Sequence, residues 1–271
     1  MNMTEPTFKS YPGIAQSIGI TVIVILGMLL FSPLKLLLDN LIDQEASMLI
    51  YYILSIGVPF WIVFTLRKKE TGNASFNWKI KDKRIIPFIM LGAIALLFGI
   101  VTPISSLIPM PESVKELFLD LSRQTGIFSF ILMVVAAPLL EELIFRGIIL
   151  DGLLTRYSTV KSILLSSFLF GFVHLNPWQF VTGFILGIFI GWVYYRTKSL
   201  VYPIIIHATA NLTGFLMRIF LDIDSHADET LLETYNGLNN LIFSIIGSVV
   251  ILWVCIFFLN RMLDRKKKVV S

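Results

Sequence analysis

Long apolar runs alternate with short polar segments along the whole chain. A run of about 20 apolar residues is long enough for a helix to cross the hydrocarbon core of a bilayer. The pattern predicts an all-α, polytopic membrane bundle of about eight helices, forming a single domain over residues 1–271. The predicted spans are 14–38, 47–66, 85–108, 127–154, 158–175, 178–196, 199–218 and 238–260.

The polar segments between the runs alternate in charge. Those after the first, third and seventh runs are acidic, whereas those after the second, fourth and sixth runs and the C-terminal tail are basic. Because Lys and Arg are enriched in cytoplasmic loops, this alternation predicts that both termini lie in the cytoplasm. The acidic residues include Asp39, Asp43, Asp222, Asp224 and Asp228, and the basic ones include Arg67, Lys68, Arg156, Arg196 and Lys266.

The composition agrees with a membrane protein. Hydrophobic residues make up 56% of the chain and charged residues 15%, against about 25% charged in a soluble domain. The net charge of +4 raises the question of nucleic acid. The basic residues cluster between the apolar runs, as membrane orientation requires, so no nucleic-acid binding is expected. Cys255, the one cysteine, lies in an apolar run and is expected to be a small buried residue.

Three charged residues lie within six positions in the middle of the fourth apolar run: Glu141, Glu142 and Arg146. Each charge at the centre of a spanning helix costs about 2.5–3.5 kcal/mol, so such residues usually mark a functional site. Glu142 and Arg146 share a helix face and are predicted to form an ion pair. Glu141 is rotated by about 100° and has no partner on its own helix. Pro138 is predicted to bend the helix just before the glutamates.

Polar residues recur in two later runs. His174 follows Phe170 by one helical turn in the fifth run, and His207 precedes Asn211 by one turn in the seventh. Each set alone also fits a structural role, as an ion-pair cluster, a core histidine or a polar contact between helices. Taken together, a carboxylate, two imidazoles and an amide can activate a water and stabilise an oxyanion.

The remaining sequence features indicate structural roles, and two common catalytic motifs are missing. Gly183, Gly187 and Gly191 recur every four residues in the sixth run and predict close helix packing. Asp151, near the inner end of the fourth run, is expected to face water or Arg156. The sequence contains neither HExxH nor GxSxG, so the zinc-helix and nucleophile-elbow patterns are missing.

Three patterns in order carry a family resemblance: EExxxR at 141–146, FxxxH at 170–174 and HxxxN at 207–211. Together they resemble the CAAX protease and bacteriocin-processing (CPBP) family of intramembrane endopeptidases. That family includes the type II CAAX prenyl proteases and the Abi proteins linked to bacteriocin immunity. The motif-bearing core is residues 127–218. The lack of long loops is similar to the prokaryotic branch, which implies a multi-pass protein of the plasma membrane.

The resemblance implies roles for these residues. Glu141 would be the general base for a water that His174 helps to hold. His207 and Asn211 would stabilise the oxyanion of the tetrahedral intermediate. The site is expected in a hydrophilic cavity among the fourth to seventh spans. The supporting residues would be Glu142, Arg146 and Phe170.

The implied substrate is a hydrophobic or membrane-associated peptide, with the lipid bilayer as the surroundings. The resemblance leaves open whether the enzyme is of the glutamic or the metallo type, because Glu141, His174 and His207 are residue types that can bind zinc. The missing HExxH pattern favours a metal-free glutamate mechanism. Two other functions stay open. One is a proton-coupled secondary transporter, since ionisable residues in membranes also mark ion pathways. The other is a non-catalytic immunity or scaffold protein.

The predicted boundaries contain one conflict. They place His174 near the outer end of the fifth span, whereas Glu141 and His207 lie deeper, with an offset of up to about 10 Å along the membrane normal. A short hairpin of the fifth and sixth helices, ending below the outer surface, would remove this offset.

Overall fold

The computed structural model describes residues 10–221 and 229–265. These ranges are helical and contain no β-strand, which confirms the all-α prediction. The predicted charges at Asp222, Asp224, Asp228 and Lys266 lie outside them. The helices are α1 (Ile14–Leu38), α2 (Gln44–Thr71), α3 (Lys83–Ser105), α4 (Glu112–Ser122), α5 (Ile127–Leu153), α6 (Thr159–Phe172), α7 (Pro177–Thr197), α8 (Val201–Phe220), α9 (Leu231–Thr234) and α10 (Leu238–Arg265).

Seven of the described helices are long and apolar enough to cross a bilayer, and an eighth apolar helix is shorter. The seven are α1, α2, α3, α5, α7, α8 and α10, so this is a multi-pass membrane protein. The predicted fifth span, 158–175, is the short helix α6, with 14 residues. Its length of about 21 Å is less than the roughly 30 Å of the hydrocarbon core. Helix α6 is thus short, as the depth conflict required, whereas its neighbour α7 has 21 residues and is long enough to cross a bilayer. The end of this hairpin below the outer surface stays a prediction.

Glycines allow α6 and α7 to pack closely. A Cβ atom added to Gly183 would lie 3.0 Å from the Cα of Gly171, and one added to Gly171 would lie 2.7 Å from the carbonyl oxygen of Phe180. Two turns further along α7, Gly191 faces the side chain of Ile163 on α6. The predicted packing role of the glycine stripe is confirmed.

Contacts between helix ends join segments that the charge pattern places on the same side. On the side predicted to face outward, the carboxylate of Glu45 accepts hydrogen bonds from the backbone N–H groups of Gly126 (2.8 Å) and Ser129 (3.3 Å). On the opposite side, the side-chain amide of Asn77 donates to the carbonyl of Lys198. These contacts agree with the predicted alternation of the loops, while the cytoplasmic location of the termini stays a prediction.

Asp151 joins several helices at the inner end of the bundle. Its carboxylate lies 3.6 Å from the guanidinium of Arg67 and 3.7 Å from the ammonium of Lys198, and it accepts a hydrogen bond from the hydroxyl of Tyr194 (3.1 Å). Of the two alternatives expected for Asp151, contact with water is confirmed, since its side chain is 36% exposed, whereas contact with Arg156 is wrong, because its partners come from α2 and α7. Arg156 instead donates to Ser10, ahead of α1. Cys255 is buried as expected.

The glycine contact between α6 and α7 yields the first prediction. Gly171→Ala should lower the free energy of unfolding by about 1–3 kcal/mol, because the new methyl group meets backbone atoms that cannot move aside. Gly214→Ala on α8 is the matched control, since a Cβ there meets nothing within 4 Å. Thermal unfolding of the purified chain in detergent measures both. Equal unfolding temperatures for the two variants would contradict the packing.

Candidate active site

Helix α5 changes its winding on both sides of the two glutamates. The stretches Ile131–Ala136 and Phe145–Leu150 are π-helical, whereas the intervening Ala137–Ile144 is α-helical. In a π stretch each carbonyl accepts from the N–H five residues later. The partner of Met133 in this scheme is Pro138, which has no N–H. A widened turn is therefore present ahead of Pro138, while the predicted bend of the helix stays a prediction.

Asn211 supplies the hydrogen bond that Pro138 cannot make. The N–H of Ala137 donates to the carbonyl of Leu132, which leaves the carbonyl of Met133 without a backbone donor. The side-chain amide of Asn211, on α8, donates to that carbonyl at 2.7 Å. This bond ties α8 to α5 about two turns before the glutamates. An amide nitrogen carries two N–H groups, so the second can serve another acceptor.

Glu142 and Arg146 form the predicted ion pair in the protein interior. Both side chains are fully buried, and Oε1 of Glu142 lies 2.9 Å from Nη1 of Arg146. The same oxygen lies 2.9 Å from Nδ1 of His207 on α8. The other terminal nitrogen of Arg146 donates to the carbonyl of Gly187 at 3.3 Å. A Cβ atom on Gly187 would lie 3.1 Å from that nitrogen, so the glycine makes room for the guanidinium.

Phe170 brings the three motifs together. Its ring lies beneath the guanidinium of Arg146, 4.4 Å from the ring centroid. It also contacts the imidazoles of His174 and His207, each with ring centroids 5.5 Å apart. The two histidines therefore meet at one aromatic ring although they lie 33 positions apart in sequence. This contact removes the conflict over the depth of His174.

His174 lies in the turn that follows α6. Its Nδ1 donates to the carbonyl of Phe170 at 2.9 Å, so in the neutral ring Nε2 is the nitrogen that can accept from a water. The chain reverses at Leu175, which has a left-handed φ of 56°. Asn176 then donates to the carbonyl of His174 (2.9 Å) and accepts from the N–H of Gln179 (2.9 Å), capping α7.

Glu141 contacts a different set of residues from the adjacent Glu142. Its Oε1 accepts a hydrogen bond from the hydroxyl of Tyr52 on α2. Its Oε2 lies 3.7 Å from Nε2 of His207, beyond a direct hydrogen bond but close enough for both atoms to contact one water. The prediction concerned only its own helix, and both of these partners lie on other helices, α2 and α8. No motif marks Tyr52, which lies in an apolar run, so the sequence reasoning missed it.

The described residues give no support to a three-ligand zinc centre. No group of three or more His, Cys, Asp or Glu side chains within 10–221 and 229–265 is arranged to hold a metal ion. Glu141 and His207 approach each other, and Nδ1 of His207 and of His174 are engaged by Glu142 and by a carbonyl, which leaves Nε2 of each ring available. The described side chains nevertheless do not come together as the three ligands that a zinc centre needs.

Comparisons with known proteins agree with the motif analysis. The family model "Type II CAAX prenyl endopeptidase Rce1-like" matches residues 123–213, which confirms the family resemblance over this segment. "Putative membrane peptidase YdiL" of Bacillus subtilis (strain 168) is 32% identical over 85 residues. "Uncharacterized 24.3 kDa protein" of Escherichia coli is 28% identical over 134 residues. No solved structure matches the chain.

These likenesses cover only part of each protein. The alignment with the Bacillus protein covers 31% of this chain and 35% of the relative, and that with the Escherichia protein covers 47% and 62%. The chain thus spans about a third and about three fifths of the relatives' lengths. The matched segment contains all three motifs, whereas Tyr52 lies outside it.

The Asn211 contact yields the second prediction. Asn211→Leu should lower the free energy of unfolding by about 1–3 kcal/mol, because the carbonyl of Met133 loses its donor inside the bundle. Pro138→Ala restores an N–H five residues after Met133 and should recover part of the loss in the Asn211→Leu background. Asn40→Leu is the control, since Asn40 donates to a carbonyl at the surface. Strictly additive effects of the Pro138 and Asn211 changes in thermal unfolding would contradict this account.

Proposed function

We propose that this chain is an intramembrane endopeptidase that hydrolyses a peptide bond of a hydrophobic or membrane-associated peptide. The observation that carries the proposal is the contrast between two adjacent carboxylates. Glu142 is buried against Arg146 and His207, whereas Glu141 is 12% exposed and turns one oxygen towards Nε2 of His207. The family match over 123–213 is consistent with this chemistry.

Glu141 acts as the general base. It takes a proton from a water as the water oxygen bonds to the carbonyl carbon of the scissile peptide. His174 contributes Nε2 as a second acceptor that holds the water. The carbon–nitrogen bond of the tetrahedral intermediate then breaks, and the proton passes from Glu141 to the leaving amine.

His207 and Asn211 stabilise the oxyanion. Glu142 holds Nδ1 of His207, which directs Nε2 into the space beside Glu141. In the doubly protonated ring Nε2 donates to the oxyanion, while Arg146 balances the charge of Glu142. The second N–H of Asn211 donates to the same oxygen. One such donor is typically worth a factor of about 10²–10³ in rate.

The protein acts in a plasma membrane, as the family resemblance implies. Both of its termini lie in the cytoplasm, as the charge pattern predicts. The substrate enters from the bilayer or its surface and reaches a hydrophilic cavity among α5, α6, α7 and α8. A transporter or a non-catalytic immunity protein would not cleave peptides, because neither function requires a carboxylate that removes a proton from water. The next experiment therefore distinguishes both functions from a peptidase.

Removal of the base gives the third prediction. Glu141→Gln keeps the hydrogen bond from Tyr52 but cannot take a proton, so cleavage should fall by about 10²–10⁴-fold. Glu116→Gln, at an exposed position on α4, is the matched control. New N-termini in the membrane proteome of a bacterial host expressing each variant measure cleavage. The same set of new N-termini in hosts expressing wild type and Glu141→Gln would refute the proposal. A wild-type chain that produces no new N-termini would refute it as well.

Metal removal gives the fourth prediction. Cleavage of the best substrate from that experiment should persist in a chelator, since the residues of the site do not form a three-ligand centre. The measurement is the cleavage rate of the full-length chain in liposomes, with and without 1,10-phenanthroline. Loss of the rate, with recovery on added zinc alone, would assign a metal to the site and replace the glutamate mechanism.

A further inference from the structure

We infer that Tyr52 is a positioning residue for Glu141, so that the site is completed by α2, outside the segment that matches the family model. This inference rests on the proposed function, because it assigns Tyr52 a part in orienting the base. The hydroxyl of Tyr52 donates to Oε1 of Glu141. The residues joined are 89 apart in sequence and lie on different helices.

The hydrogen bond decides which oxygen of Glu141 is available for the reaction. An ionised carboxylate only accepts, so the phenol must be the donor. With Oε1 held by Tyr52, Oε2 is the oxygen that faces Nε2 of His207, at 3.7 Å. The terminal torsion of a glutamate is otherwise broad and does not fix the carboxylate plane. Tyr52 therefore selects one orientation, with Oε2 on the side where a water and a scissile carbonyl would lie.

Contacts at both ends of α2 fix how this helix, and Tyr52 on it, is positioned along α5. At the outer end, Glu45 accepts from the backbone N–H of Gly126 at 2.8 Å. At the inner end, the guanidinium of Arg67 lies 3.6 Å from the carboxylate of Asp151. These contacts run in the same order along both helices, with Tyr52 and Glu141 between them. Helix α2 is thus held in one register against α5, and the phenol cannot slide away from the carboxylate.

The test compares two adjacent tyrosines on α2. Tyr52→Phe removes only the hydroxyl that contacts Glu141, whereas Tyr51→Phe removes one that donates to the carbonyl of Met28 on α1 at 3.0 Å. The full-length chain in liposomes is assayed with a quenched fluorogenic peptide. Its sequence is the best cleavage site identified with wild type in the host membrane proteome. Thermal unfolding of each variant is measured in parallel.

Tyr52→Phe should lower kcat by about 10- to 100-fold with KM unchanged, because a hydrogen bond to a charged group is lost from the base but not from the bound substrate. Tyr51→Phe should keep both constants within about 3-fold of wild type, since its hydrogen bond is neutral and remote from the site. A wild-type kcat in Tyr52→Phe would overturn the inference, as would an equal fall in both variants. A wild-type chain that cleaves nothing would instead overturn the proposed function.

Discussion

The buried charge of Arg146 is the constraint on which the rest of the structure depends. Removing a guanidinium from water costs several kcal/mol unless its surroundings replace the lost interactions. Here a carboxylate, a backbone carbonyl and an aromatic face replace most of them, supplied by Glu142, Gly187 and Phe170 on α5, α7 and α6. Among the described residues, Nε of Arg146 has no hydrogen-bond partner. Glu142 also holds His207 on α8. One charge thus fixes the relative positions of four helices, and with them both histidines.

This arrangement gives two neighbouring carboxylates different chemistry. Glu142 and Glu141 are adjacent in sequence, so they point about 100° apart around α5. The first is committed to Arg146 and His207 in a fully buried pair. The second faces α2 and the gap beside His207. Two acidic residues without a cation would be costly in a membrane. Here Arg146 neutralises Glu142, which leaves Glu141 available for the proposed proton transfer.

Much of this was accessible from the sequence, because it follows from periodicity within one helix. The Glu142–Arg146 pair, the glycine stripe and the apolar helices are patterns with a spacing of four or a length of about twenty. Contacts between distant helices were not accessible. Tyr52 lies among apolar residues, and Asn211 reaches the carbonyl of Met133 only because α5 widens ahead of Pro138. A change from α- to π-helical winding depends on which backbone hydrogen bonds form, and the spacing of residue types along the sequence does not predict this.

The shortness of α6 explains how His174 comes to face the other motifs. A helix that spanned the bilayer would carry its last turn to the outer surface, away from His207. Helix α6 ends early, and a chain that reverses within a membrane must satisfy its own backbone groups. The turn does so: the N–H of His174 donates to Gly171, and the side chain of Asn176 donates back to the carbonyl of His174. Because the turn satisfies these groups, it can lie at the depth of the site, where the imidazole contacts Phe170 beside His207.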